Sequence, residues 1–362
     1  MIVISLPFTP DICPLMTYKE LIATGVVCLA LGQPMDAQSV SVAPDTVDAD
    51  ASTLAWMAQH GSAISAFDRV PDEGDLTLWD ALTANARIIG LGEQTHGSSE
   101  FTRTKLRLIA HGVRSQHVTV IGFENVPAPV AAINRYLHGD SANVDSLMGH
   151  LSKLWRTEEV KSVVLWLHDY NVEQRRMGAP QVDMVGVDII NSSPARDSGM
   201  AESMAAEIAR RSPESRAMMW AHNIHVSYLP NRIGVQLRRL IGARYVALGF
   251  ATAEGTYRAR TPTDATAPLS EGHVLPPPTP GSAELSLSRL SGRVGGVAQL
   301  YDLRGIIADP RGAWLRTPRN FHHVGTSADA LAVQVQNVGE MFDLLMFVPR
   351  TTTSHSIPGI QM

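Results

Sequence analysis

The chain has 362 residues, of which 44% are hydrophobic and 18% charged, a composition that fits one large globular domain or two small ones. A formal net charge of −5, a sequence pI near 6.2 and the lack of any Lys/Arg run exclude a basic field for nucleic acid or an anionic membrane surface. A small neutral or cationic substrate suits this balance better.

In chain order, residues 1–45 stand apart as a leader and linker. Leu21–Leu31 (LIATGVVCLAL) is an apolar run of signal-peptide length, too short to span a bilayer, with Lys19 before it and the segment PMDAQ after it. No basic stretch precedes Met16, which makes Met16 a candidate start. The reading is export to the periplasm or medium, with a mature chain beginning near residue 38 and no stable membrane insertion afterwards; a buried N-terminal helix is the alternative. Both cysteines, Cys13 and Cys28, fall in the leader. The mature chain then has no disulfide framework, thiol nucleophile or Cys-bound zinc.

After an Ala/Asp/Ser-rich linker at 40–52, short apolar runs read as strands at 87–92 (RIIGLG), 117–123 (HVTVIGF), 182–187 (VDMVGV), 217–221 (AMMWA), 245–250 (YVALGF) and 344–348 (LLMFV). They alternate little, as strands buried on both faces of a parallel sheet do. Between them, Val160, Val163, Val164 and Leu167 fall at helical spacing, with Thr157 as N-cap and Glu158–Glu159 in the first turn. The alternation predicts an α/β domain over 53–350, a mainly parallel sheet flanked by helices. The second and third strands are too far apart for one crossover helix. Residues 127–181 are therefore expected as a helical insertion over the C-terminal ends of the strands. Residues 261–295, with HVLPPPTPGS, read as a long irregular segment, and 351–362 as a C-terminal tail.

The stretch IIGLGEQTHGSSEF (88–101) occupies the place of a phosphate loop, but its chemistry is wrong. No Gly-Lys-Ser/Thr follows Gly97, and Gly90, Gly92 and Gly97 are spaced G-x-G-x-x-x-x-G. Glu93 would also set a carboxylate where pyrophosphate docks. The strand ends instead deliver Glu93 and His96, then Glu124, Asp188, and His222 with His225, to one rim, where open α/β sheets bind ligands. One polar residue past a strand is ordinarily a turn or cap residue; four strands doing the same imply a site. No G-x-S-x-G elbow exists, so attack by water with a histidine base is the simplest chemistry. The competing use is a metal: His222-x-x-His225 with Glu93, Glu124 and Asp188 offers N/O ligands for zinc or manganese, although the spacing is not that of an H-E-x-x-H helix.

GLGEQTHGSSEF, IGFEN, VGVD and WAHNIHV, in this order, resemble the erythromycin esterase family, which includes succinoglycan biosynthesis homologues. The likeness continues through Trp155-Arg-Thr-Glu-Glu, LGFATAEGTY, LPPPTPGSAE and FDLLMFV, and covers roughly residues 60–350. It implies an α/β sheet with a deep cleft and hydrolysis of a carboxylic ester, the lactone of a macrolide antibiotic, by activated water without a covalent intermediate. By the same resemblance His96 is the general base, Glu93 and Glu124 orient it or the water, and His222 or His225 stabilises the oxyanion. The basic position nine residues after His96, Arg in the esterases, is Lys105 here, which keeps the charge and loses the bidentate fork. Lys105, Asp188 and Trp220 are the expected substrate contacts. The expected enzyme is a monomer needing no metal or cofactor. A metal-dependent hydrolase using the same cluster, or a non-catalytic protein binding a small molecule or polysaccharide, are the alternatives.

Overall fold

Among the described residues eleven strands carry the fold: β1 (Gly61–Ile64), β2 (Ile88–Leu91), β3 (Val118–Phe123), β4 (Asp183–Gly186), β5 (Arg216–Trp220), β6 (Tyr245–Arg260), β7 (Leu269–Val274), β8 (Ala298–Asp302), β9 (Arg319–His322), β10 (Val333–Gln336) and β11 (Leu344–Thr351). The computed structural model describes residues 43–68, 73–189, 195–261, 268–328 and 333–360. The leader's apolar run, the cleavage point near residue 38 and Met16 lie outside them.

Nine strands form one sheet in the order β1-β8-β11-β6-β2-β5-β3-β4, with β7 paired to β6. From β11 to β4 every neighbouring pair is parallel. The antiparallel pairs are β1 with β8, β8 with β11, and β7 with β6. The mainly parallel α/β architecture is thus as the sequence predicts.

The strands read as unbroken apolar runs because both faces are covered. Side chains alternate across a strand. Ile89, Leu91, Met218, Trp220, Leu248 and Phe250 face one core, whereas Ile88, Ala217, Met219, Tyr245 and Ala247 face another. Helices 99–115, 127–137 and 158–177 cover the first core, and helices 51–57, 195–209, 233–241 and 283–294 the second.

The helix Glu158–Met177 shows the local logic. Thr157 accepts from the Val160 amide at 3.1 Å, two acids occupy the first turn, and Gly178 closes the helix at φ 66°. Val160, Val163, Val164 and Leu167 are buried, each stabilising the contact by about 1.5–3 kcal/mol. Between β3 and β4 lie this helix, helices 127–137 and 144–148, and a short 3₁₀ turn, Lys153–Trp155.

Segments that the sequence leaves irregular hold regular elements among their described residues. Residues 261–295 contain β7 and the helix Ala283–Val294. β6 runs ten residues beyond the expected 250, leaving the parallel sheet to form a hairpin with β7. Past β11, Thr353 bridges to Ser98 and Ser356 to Thr157. Among the described residues, no helix is long and apolar enough to cross a membrane.

Candidate active site

The Gly-rich turn after β2 is built for close packing. A Cβ on Gly92 would lie 2.3 Å from Asn223 Oδ1 and 2.8 Å from the Leu248 carbonyl, and one on Gly97 would lie 2.2 Å from the Arg258 carbonyl. Gln94 points inward and ties the turn down. Its amide donates to Glu284 Oε1 (3.0 Å) and the His322 carbonyl (2.9 Å), and its oxygen accepts from the Thr252 amide (2.8 Å). Glu93 and His96 are thereby held on a fixed backbone just beyond the strand.

Glu93 is almost fully buried. Its Oε1 accepts from His96 Nδ1 at 2.6 Å; its Oε2 accepts from Lys105 Nζ and from Trp220 Nε1 at 2.9 Å. With Nδ1–H given to Glu93, the His96 tautomer leaves Nε2 as a base, and no hydrogen bond to Nε2 is formed among the described residues. Trp155 meets the His96 ring edge-on at 5.1 Å, and His222 lies 4.8 Å away.

Lys105 and Trp220 need correcting as substrate contacts. Both side chains are fully buried behind Glu93, and neither lines the cleft. Burial pushes Lys105 down to about 8, against the opposing pull of Glu93. Their place is to clamp Glu93, which in turn clamps His96.

A second cluster forms around Glu124. Its Oε1 accepts from Arg196 Nη2 at 3.1 Å and stands 3.3 Å from His225 Nε2, while Oε2 accepts from the His222 amide at 2.8 Å. Burial alone would raise its pKa, but His225, His96, Arg196 and the His222 N–H outweigh it and hold the carboxyl below the usual range. Asp188 takes Arg196 in a bidentate pair, from Nε at 2.8 Å and Nη2 at 2.7 Å. His225 Nδ1 lies 2.7 Å from Asp197 Oδ1. Burial disfavours its charged form, yet Glu124 and Asp197 prevail and raise its pKa.

His222 differs from its expected role at the oxyanion. Nδ1 accepts from the Ile224 amide, capping the short helix Asn223–Val226, and Nε2 lies 3.2 and 3.1 Å from the Gln94 and Val324 carbonyls. Both ring nitrogens are committed. Burial, and then the charges of His96, His323 and His225, push its pKa well below the ordinary value. It is a neutral strut joining two strand ends.

His96, Glu124, Asp188, His222 and His225 line one cleft of about 630 Å³. Five of the eight expected site residues thus share it, and Glu93, Lys105 and Trp220 stand behind its wall. Residues 150–155, from the segment between β3 and β4, border the opening. The sequence reading missed Arg196, Asp197, Arg232 and His323. His323 packs edge-on against His222 at 4.7 Å; burial and the charges of His96, Arg232 and His225 push it down to about 4. Among the described residues, no three His, Cys, Asp or Glu side chains surround one point as metal ligands do.

The family model described as Erythromycin esterase matches residues 113–194 and 190–351, more than half of the chain. These spans contain Glu124, Asp188, His222 and His225; Glu93 and His96 precede them. Erythromycin esterase type II of Escherichia coli is 27% identical over 108 residues, 30% of this chain and 25% of its own length. The chain thus matches only a quarter of that relative. A succinoglycan biosynthesis protein crystal structure superposes with a TM-score of 0.68 at 18% identity, covering 84% of this chain and 98% of that one. A mutant of erythromycin esterase EreC in its open conformation gives 0.59 at 16%, covering 80% and 98%. At these identities the structural likeness is one of fold.

Proposed function

The chain belongs to the erythromycin esterase family, and on that premise we propose that it is a hydrolase cleaving a carboxylic ester, the lactone of a macrolide being the candidate substrate. The observation that carries the proposal is the His96 imidazole. Its Nδ1 is fixed 2.6 Å from Glu93, and the ring lines a cleft large enough for a small molecule. In this reading His96 Nε2 removes a proton from water as the water oxygen attacks the ester carbonyl, with no covalent intermediate. Glu93 fixes the tautomer and stabilises the imidazolium that forms, as carboxylates do in acid–His pairs. Negative charge then grows on the carbonyl oxygen, and the Arg196 guanidinium in the cleft wall is suited to meet it. Water activation in this scheme uses no metal. Action outside the cytoplasm, in the periplasm or medium, belongs to the same proposal and rests on the leader's apolar run.

A panel of aryl esters, alkyl esters and macrolide lactones tests it, with the wild type beside His96→Asn. The expected result is turnover of at least one class, falling on substitution by roughly a hundred- to ten-thousand-fold, the range of a general base. A variant keeping more than about a tenth of wild-type kcat removes His96 from the role. A wild type inert to the whole panel removes the ester reading.

A further inference from the structure

We propose that Asp197 is a positioning residue that keeps His225 ready to donate a proton to the departing alkoxide, so that the cleft holds a second acid–His pair with the opposite task; this rests on the ester-hydrolase reading above. Asp197 stands in the first turn of helix Ala195–Ala209 and is 4% exposed. Its Oδ1 lies 2.7 Å from His225 Nδ1, and its Oδ2 accepts from Arg232 at 3.3 Å. The ring's far nitrogen, Nε2, has two neighbours of opposite kind: Glu124 Oε1 at 3.3 Å and Arg196 Nη1 at 3.1 Å. Charged, Nε2–H donates to Glu124. Neutral, Nε2 accepts from Arg196. Either protonation state therefore has a partner, and loss of the proton strands no buried polar atom. His222, the neighbouring histidine, has no such freedom, because both its nitrogens are tied to backbone.

The groups facing His225 are Asp197 and Arg196 from the helix and Glu124 from the end of β3, and the two carboxylates outweigh burial and Arg196 and raise its pKa. The step balances. Water gives one proton to His96 and its oxygen to the carbonyl carbon. Collapse of the tetrahedral oxyanion breaks the C–O bond to the alcohol, and the leaving oxygen takes the proton of His225 Nε2. The products are one acid and one alcohol. His96 then loses its proton to solvent, and His225 regains one.

Asp197→Asn disables the pair without changing its shape. Arg232 on Oδ2 draws the amide oxygen to its side, which turns the NH₂ toward His225 Nδ1. An imidazolium needs a proton on that nitrogen, so the acidic form is lost, and the neutral Nε2–H tautomer that remains is a far weaker acid. The test compares esters of one acyl group with leaving groups of different basicity. A p-nitrophenoxide leaves unprotonated, whereas a simple alkoxide needs the proton. We expect Asp197→Asn to lower kcat on the alkyl ester at least about tenfold more than on the aryl ester, within the range of general-acid catalysis. Asp197→Glu, which keeps the carboxylate, should recover part of the alkyl activity, and His96→Asn should depress both substrates alike. Equal losses on the two esters in Asp197→Asn, with the wild type active on both, overturn the proposal and leave the His96 reading standing. A wild type inactive on both esters and on macrolide lactones overturns the two together.

Discussion

Gly97→Ala tests how tightly the catalytic turn is held. A Cβ there would lie 2.2 Å from the Arg258 carbonyl, 2.4 Å from its amide nitrogen and 2.6 Å from its Cβ. Ordinary contact begins at 3.4 Å, so backbone must move by about 1 Å, and no flexible side-chain tip can absorb the shift. β6 is anchored on its other side by pairing with β7. The Gly97 carbonyl also takes the Arg258 amide (3.1 Å) and the Ser354 amide (2.9 Å). The turn therefore yields, and His96, the adjacent residue, moves with it. Overpacking of this kind costs about 1–3 kcal/mol, and displacing a catalytic group by about 1 Å costs roughly a hundredfold in rate. Urea unfolding and kcat on an ester that the wild type accepts measure the two effects. A variant with kcat within about threefold of wild type and a stability loss under about 0.5 kcal/mol would show that the turn is pliable and the reasoning wrong.

Two further outcomes follow from the buried charges and a third from the proposed chemistry. Lys105→Met leaves Glu93 without its cation where both side chains are at most 1% exposed, and should destabilise the protein by roughly 3–5 kcal/mol in urea unfolding; a loss below about 1 kcal/mol counts against the clamp. His111 sits between Glu73 Oε2 and Asp80 Oδ1, each at 2.7 Å, and although burial opposes it these carboxylates raise its pKa above the ordinary 6.5. A raised folded pKa gives stability fully present below the unfolded value and lost as pH rises through the folded one. His111→Gln should therefore destabilise more near pH 5 than near pH 9, and equal losses at both would refute the linkage. Exhaustive chelation should leave ester turnover within about twofold; loss of activity restored by one divalent ion would make the water metal-activated.

What the sequence could tell divides along one line. Residues at the ends of short apolar strands were legible, because a strand buried on both faces reads as an apolar run and its C-terminal end is where α/β sheets present polar groups. Glu93, His96, Glu124, Asp188 and the 222/225 pair all came from that rule. Arg196, Asp197 and Arg232 lie at or beside helix starts, where charged residues ordinarily serve as caps, and only folding brings them back to the rim. Lys105 and Trp220 were recognisable as parts of the site but not as parts hidden behind it, since periodicity does not show which side of a carboxylate a neighbour occupies. β8 (AQLYD) is broken by Gln299 and Asp302 and so shows no apolar run, and the helix Ala283–Val294 presents Ala283, Ser286, Leu287, Leu290 and Ser291 inward. Its small and hydroxylated residues hide the apolar stripe that a helix usually shows.

The segment between β3 and β4 begins and ends on neighbouring parallel strands, and β4 is the last strand of the sheet. It borders the cleft chiefly with residues 150–155, and Trp155 is anchored there by its indole donation to the Glu124 carbonyl. Lengthening a loop at such a place is energetically mild, about 0.6 kcal/mol for each doubling, and disturbs no internal strand pairing. Diversification can therefore proceed at the edge while the Glu93–His96 pair, rooted beside the central strand β2, is inherited unchanged. Two descendants of one ancestor can then differ widely in the molecules they admit and share the same reacting atoms. An engineer wishing to redirect this protein would vary His150, Ser152 and Leu154 and leave the sheet alone.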